Sequence, residues 1–295
     1  MTATDCLVVF LRVNLALVAV LGGLIVLRGP VRRHCGSDAV YGLWMASPIA
    51  MVVMSAPHGL AQGVQELLTP SLSVDLIKVW LAGAGLSLAG LVVAQIRLMA
   101  KARRGEVGPA VLGLLRPRIY LPSDFEARFT PAERAVIWAH ERAHMLRGDP
   151  RANAIMALIQ IALWFNPATY LAIRLFREDQ EMACDHSVMA EIPERRRLYA
   201  ETMLKSQEVH WSPALGCAWG RHPLEHRVEA LTLVPTITRL ITIRLLICGA
   251  AVILIYQACT LYFPEASTGF AFVSKANLIN LPQLSPVART VATAL

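Results

Sequence analysis

The sequence predicts a mainly α-helical, polytopic membrane protein, with four transmembrane helices and a cytoplasmic α+β domain inserted between the third and the fourth. Three observations predict it. The 295 residues are 55% hydrophobic, with a mean hydropathy of +0.49, too apolar for an ordinary soluble domain. Four stretches reach the ~20 apolar residues that a helix needs to cross a bilayer. Between the third and fourth lies a polar stretch in which charges nearly balance: from Lys101 to Pro235 there are 18 Lys/Arg and 16 Asp/Glu.

The first span covers about residues 7–27. A cleaved signal peptide would show a basic leader and a small-residue cleavage site. This segment instead carries Asp5 and Arg12 and is followed by Arg28-Gly29-Pro30. The second span covers about 39–57 and the third about 74–100. Gly83, Ala84, Gly85, Ser87 and Gly90 suit the third to close helix packing. No span carries a central charge, which argues against transport, and Arg12, Arg97 and Arg244 read as side chains snorkelling from span ends. The fourth span covers 239–263, leaving a tail at 264–295.

The loops orient the chain. Arg28, Arg32 and Arg33 follow span one, Glu66 is the only charge between Pro57 and Ser73, and Lys101, Arg103 and Arg104 follow span three. By the positive-inside rule both termini are extracytoplasmic and residues 101–238 are cytoplasmic. The formal net charge of +7 therefore reads as a topology signal. It gives no support to direct nucleic-acid binding. Cys6, Cys35, Cys184, Cys217, Cys248 and Cys259 have no paired spacing and read as free thiols.

The inserted domain opens with two short strands of a hairpin, Val111–Leu115 and Arg118–Leu121, one of which offers an edge to an extended peptide. A helix follows from Thr130. Thr130 caps it, Pro131 suits its first turn and Glu133 completes a capping box. It carries His140-Glu141-Arg142-Ala143-His144. Histidines at i and i+4 share a face one turn apart, a spacing that lets two imidazoles hold one zinc ion with the intervening glutamate as general base. The domain is accordingly expected to be a zincin-like metallopeptidase with one Zn2+ per chain.

Ala154 to Phe165 is apolar but too short to span, and it breaks at Asn166-Pro167. A single crossing there would also carry the following helix ~30 Å from the histidines. The segment reads as a core, interfacial or re-entrant helix. The next helix, Asn166 to Ala190, carries Glu178, Asp179, Glu181, Asp185 and His186. Glu181 and Asp185 share a face: one carboxylate can complete the metal set and the other can orient a ligand histidine, with Glu178 the nearest rival ligand. Asp149 before Pro150 reads as a turn residue, His186 as a polar residue outside the ligand set, and Arg195-Arg196-Arg197 as a solvated face. His210, His222 and His226 read as surface residues.

Two other zinc-protease patterns do not fit. An HExxHxxGxxH motif needs Gly and His where Arg147 and Pro150 stand, and an intramembrane protease would place HExxH inside a span and add a downstream Leu-Asp-Gly. The run does resemble the BlaR/MecR type of membrane metallopeptidase antirepressors, which are gluzincins. The likeness rests on Val111-Leu112-Gly113-Leu114, Pro117-Arg118-Ile119-Tyr120-Leu121-Pro122, the HExxH, Arg147-Gly148-Asp149, Trp164-Phe165-Asn166-Pro167 and Glu181-Met182-Ala183-Cys184-Asp185. It implies zinc on His140, His144 and Glu181, Glu141 as base, and a place in the bacterial inner membrane, which leaves Asp185 as the carboxylate that can orient a ligand histidine. The antibiotic-sensing members continue into a penicillin-binding domain with a Ser-x-x-Lys nucleophile, and residues 264–295 contain no such motif.

The function expected is a regulatory endopeptidase that cleaves a cytoplasmic transcriptional repressor, itself, or both, on an envelope signal. The alternatives are a membrane quality-control protease and a non-proteolytic scaffold with a structural zinc. Expected partners are the repressor, the bilayer, an extracytoplasmic sensor protein and a second copy in a homodimer. The candidate self-cleavage loop is Gly216, Cys217, Ala218 and Trp219, within a Pro- and Gly-bearing stretch from Ser212 to His222 whose alternative reading is a passive connector.

Overall fold

The computed structural model describes residues 3–55, 69–206, 217–218 and 227. The fourth span, the tail, most of the loop after span two, Gly216, Trp219, His210, His222 and His226 lie outside the described residues.

Helix α1 runs over Ala3–Cys35, longer at both ends than the apolar stretch within it. At 33 residues it extends about 50 Å, and its C-terminal basic residues remain helical. Helices α2 (Ser37–Leu43) and α3 (Ala46–Met54) replace the single span expected over 39–57, separated by a turn at Trp44-Met45. The break has a cause in packing. Ser37, Ala39, Val40, Leu43 and Trp44 are all buried, and Trp44 Nε1 donates to Asp179 2.9 Å away. A buried polar tether of this kind holds α2 against the inserted domain.

Helix α4 (Pro70–Arg103) starts at Thr69, which accepts from Leu72 N–H, with Pro70 at the first helical position. Among the described residues, α1 and α4 are the two helices long and apolar enough to cross a membrane. Val79, Leu81, Leu86, Leu88 and Ile96 are exposed. A helix this apolar and this uncovered by protein is matched to lipid as its solvent.

Strands β1 (Ala110–Leu112) and β2 (Arg118–Tyr120) pair antiparallel with Val111 opposite Ile119. Leu98 and Ala102 pack with Val107, Ala110 and Leu112, rooting the hairpin on the end of α4. The outer edge of β1 is taken by β3 (Cys217–Ala218), which pairs antiparallel with Val111 opposite Cys217. A short helix α5 (Phe125–Arg128) leads into α6 (Pro131–Arg147). Helix α7 (Asp149–Ala162), α8 (Pro167–Glu191), a 3-10 turn at Pro193–Arg195 and α9 (Arg196–Lys205) follow.

Helices α7 and α8 form a hairpin laid along α1. Met156, Ile159, Leu163, Ala172 and Phe176 share a core with Val13, Leu17, Leu21 and Leu24. At the turn, Trp80 Nε1 donates to the Ala162 carbonyl at 2.7 Å, and Phe10 meets Trp80 and Phe165 at 5.2 and 5.6 Å between ring centroids. Trp80 lies 23 residues before Arg103, about 35 Å along α4. Helix α7, 14 residues or about 21 Å long, thus runs along the Val13–Leu24 stretch of α1, and α8 returns along it. Of the readings open to the short apolar helix, this packing on α1 makes it a core helix. Gly83 makes room for it: a Cβ there would sit 2.1 Å from the Trp164 ring.

A second core, Phe125, Phe129, Val136, Ile137, Val188, Met189, Tyr199 and Met203, packs α5, α6, the end of α8 and α9 together. Arg12 does not snorkel: it is 4% exposed, buried on α1.

Candidate metal centre

Helix α6 is fixed at both ends. Thr130 Oγ1 accepts from Glu133 N–H and Glu133 Oε2 accepts from Thr130 N–H at 2.8 Å, closing the capping box. Gly148 ends it in the left-handed region (φ 73°), which glycine adopts without a Cβ penalty. Helix α7 starts at the next residue, so the chain turns a sharp corner. That corner brings Asp149 back over the last turn of α6.

His140, Glu141 and His144 are completely buried. His144 Nδ1–H donates to Asp149 Oδ2 at 2.6 Å, and His140 Nδ1–H donates to the Tyr199 hydroxyl at 2.7 Å. Both Nδ1 atoms are thereby committed, and both Nε2 atoms are left as lone-pair donors to a metal. The two Nε2 atoms are 3.0 Å apart. Glu181 stands against them, Oε2 3.4 Å from His140 Nε2 and Oε1 3.5 Å from His144 Nε2. Ligands at zinc's bond lengths form a tetrahedron with edges of roughly 3.3–3.6 Å; the two Glu181 separations fall in that range and the Nε2–Nε2 separation is somewhat shorter. Glu181 Oε2 and both carboxylate oxygens of Glu141 are buried without a hydrogen-bond partner among the described residues. Orphaned buried carboxylate oxygens around converging imidazoles are what a cation site looks like without its cation.

Electrostatics separate the two glutamates. Burial pushes the Glu141 carboxyl up to about 7, against the lowering influence of the histidines. Burial also raises Glu181, but His144 and the contacts with His140 and Arg227 outweigh it and hold that carboxyl well below its ordinary range. One glutamate is poised to exchange a proton near neutrality and the other to stay anionic. Glu178 lies elsewhere, 3.2 Å from Arg28 and 3.5 Å from Arg174.

Asp185 reaches His140 mainly through Tyr199, whose hydroxyl donates to Asp185 Oδ1 at 2.6 Å; the direct approach to His140 Nδ1 is 3.4 Å. Arg227 clamps Asp185 with Nε and Nη2, each at 2.7 Å, and its Nη2 lies 3.4 Å from Glu181 Oε2. Burial opposes ionisation of Asp185, yet the Arg227 guanidinium holds its carboxyl at about 2.

Sequence reasoning missed four participants. Asp149, read as a turn residue, is fully buried and holds His144. Its turn position was legible, but the corner at Gly148 was needed to aim it. Tyr199 and Arg227 are distant in sequence and belong to no spacing pattern with HExxH. Cys184, read as an ordinary thiol, faces the histidines: its sulfur and one ring nitrogen of each lie within 4.8 Å of one another. It sits 3.5 Å from the His140 carbonyl, to which its thiol donates. His186 pairs with Asp38 at 2.9 Å, outside the cluster. Gly216 and Trp219 lie outside the described residues, while Cys217 and Ala218 form β3 beside β1.

Residues 94–231 match the family model described as BlaR1 peptidase M56. The chain is 32% identical over 102 residues to the regulatory protein BlaR1 of Bacillus licheniformis, covering 34% of this chain and 17% of that protein. It is 30% identical over 98 residues to the methicillin resistance mecR1 protein of Staphylococcus aureus, covering 33% of this chain and 17% of that protein. The matched region contains the whole buried cluster from His140 to Arg227, and the chain spans only 17% of the length of these relatives. On these matches residues 94–231 carry a BlaR1 peptidase M56 region, and the chain is similar to BlaR/MecR-type proteins over about a third of its length.

Proposed function

We propose that the chain is a membrane zinc endopeptidase of regulatory type, with His140, His144 and Glu181 holding the metal and Glu141 acting as general base. The observation that carries this reading is the convergence of two Nε2 atoms and one carboxylate at 3.0, 3.4 and 3.5 Å beside the unpartnered Glu141. When bound, zinc supplies Lewis acidity to a peptide carbonyl and acidifies water. Glu141 accepts the proton of the water that attacks the carbonyl carbon, then returns it to the leaving amine nitrogen. Asp149 and the Tyr199–Asp185 pair hold the imidazoles in the tautomer that presents Nε2. Arg227 neutralises Asp185 and steadies Glu181.

Asp185 is thus assigned to positioning, through Tyr199. We assign the substrate to two classes. One is a cytoplasmic transcriptional repressor, cleaved on an envelope signal passed by an extracytoplasmic sensor partner. The other is the chain itself, at Gly216–Trp219. The second is favoured by a specific observation: Cys217–Ala218 already lies extended and antiparallel on β1, the way a peptide adds to a sheet edge. The topology assigned is four spans with both termini extracytoplasmic in a bacterial inner membrane, residues 101–238 being cytoplasmic.

The test compares wild type with Glu141→Gln, both tagged at each end. Removing the general base should lower cleavage by about 10²–10⁴-fold while bound zinc, measured by metal analysis, stays near one per chain. Comparing N-terminal proteomes of the two strains identifies the substrate. A wild-type protein without zinc, or a Glu141→Gln protein that still cleaves, overturns the reading.

A further inference from the structure

Tyr41 on α2 belongs to no catalytic motif, yet its hydroxyl ends on the metal centre. It donates to Asp149 Oδ1 at 2.8 Å, while the other oxygen of that carboxylate takes the His144 Nδ1–H at 2.6 Å. Gln180, the neighbour of Glu181, donates to the Tyr41 oxygen at 3.0 Å. The ring itself is gripped by Phe176, at 5.5 Å between centroids, and by the Arg147 guanidinium 4.8 Å above its face.

Tyr41 is the middle of three anchors on one face of α2 and its C-cap. Asp38 accepts from Arg147 Nη1 at 3.0 Å and from His186 Nδ1 at 2.9 Å. Trp44 Nε1 donates to Asp179 at 2.9 Å, the carboxylate that also receives Arg28 and Arg32 of α1. Positions 38, 41 and 44 are three apart, so they align along the helix. On the other side, α2 is held by its neighbours in the chain. Leu43 and Trp44 share a core with Val13 through Leu24 of α1, and Met51 of α3 packs on that core. A short helix is therefore fastened to the apolar helices on one side and to the metal-holding residues on the other.

We propose that Tyr41 is a positioning residue of the metal centre, and that α2 is the element through which displacements of α1 and α3 reach His144. This rests on the metal reading given above. Asp149 accepts one hydrogen bond at each oxygen, and Arg147 Nε stands 3.6 Å from Oδ2. A shift of α2 by an ångström or so takes the Tyr41 bond out of hydrogen-bonding range, frees the carboxylate to rotate and lets the His144 ring turn with it. A phenylalanine would keep the ring contacts and lose the hydroxyl's bonds to Asp149 and Gln180. Linkage makes the effect reciprocal: if α2 governs metal affinity, metal binding stabilises α2 to the same extent.

The experiment uses the full chain in lipid nanodiscs: wild type, Tyr41→Phe, Asp149→Asn, and Tyr170→Phe, an exposed tyrosine bonded only to the Trp164 carbonyl among the described residues. Zinc affinity is read by competition with a chromophoric chelator, ligand geometry by the visible spectrum of the Co2+ form, and α2 by hydrogen exchange of residues 37–43 with and without zinc. Tyr41→Phe should weaken zinc by roughly 10-fold, the lower end of the range for groups that orient a ligand, and Asp149→Asn by more. The Co2+ bands of Tyr41→Phe should shift, and zinc should slow exchange across Ser37–Leu43 in wild type and Tyr170→Phe but not in Tyr41→Phe. Because exchange is compared with and without zinc in each variant, general loosening of α2 does not mimic the result. Tyr41→Phe that matches wild type in affinity, spectrum and zinc-dependent protection overturns the coupling and leaves the metal site standing. Wild type that binds no zinc overturns the metal reading, and the coupling with it.

Discussion

At the scale of single residues, the centre is built from groups that are unfavourable to bury until they act together. Arg227 and Asp185 are each about 1% exposed and bonded through two nitrogens. Removing one partner strands the other, so Arg227→Ala should destabilise the domain by about 3–5 kcal/mol, read as a drop in thermal unfolding temperature. Arg227→Ala combined with Asp185→Leu should recover part of that loss, because the Asp185 charge is no longer stranded while Glu181 still lacks Arg227. Non-recovery would mean that Arg227 acts through other contacts. Glu141 gives a pH dependence. In the metal-free protein its carboxyl is raised to about 7, so below that pH it holds a proton. A cation beside it favours the carboxylate, and zinc binding must then release that proton. The contribution of Glu141 to zinc affinity should accordingly rise with pH up to about 7 and level off above it. Calorimetry at pH 6 in buffers of different ionisation enthalpy should detect fewer protons released by Glu141→Gln than by wild type; equal release would refute the assignment.

At the scale of elements, the α7–α8 hairpin decides where the site sits. Its turn at Asn166-Pro167 lies beside Trp80 and Phe10, and its open ends carry Asp149 and Glu181. The same hairpin thus packs among apolar helices at one end and holds metal-site residues at the other. Gly83 is the point of closest approach to the turn, through the Trp164 ring. Gly83→Ala should cost about 1–3 kcal/mol by overpacking. In Gly83→Ala with Trp164→Ala the two losses should be clearly non-additive, since removal of the ring removes the clash. Additive losses in thermal unfolding would show that Gly83 serves another contact.

At the scale of the whole molecule, the basic residues assigned to a loop after span one lie on α1 and have structural partners. Arg28 and Arg32 reach Asp179, and Arg28 also reaches Glu178. They tie the C-terminal end of α1 to the domain that carries the metal centre, which requires both to be on one side of the membrane. Reporter fusions at Arg33, Gln65, Arg104 and Leu295 should therefore read inside, outside, inside and outside. A cytoplasmic reporter at Leu295 would rule out the proposed return crossing, and an external one at Arg33 would separate α1 from its own ion pairs.

Sequence alone determined the local features of this protein. The i, i+4 histidines, the Thr130–Glu133 capping box, the Asn166-Pro167 start of α8 and the two long apolar helices depend on neighbours within a few residues, and the structure places each where the spacing predicts. Glu181 was legible as one of three nearby carboxylates; the structure brings it to both Nε2 atoms and sends Glu178 to Arg28. Only the tertiary structure decided the rest. Tyr41 on α2, Asp149 on α7, Tyr199 on α9 and Arg227 come to the centre from distant parts of the chain, the first two aimed by the broken second apolar segment and the corner at Gly148. The physical reason is the low-dielectric interior. A buried imidazole or carboxylate must find its partner wherever the fold can supply one, and that demand is set by burial, which local sequence does not encode.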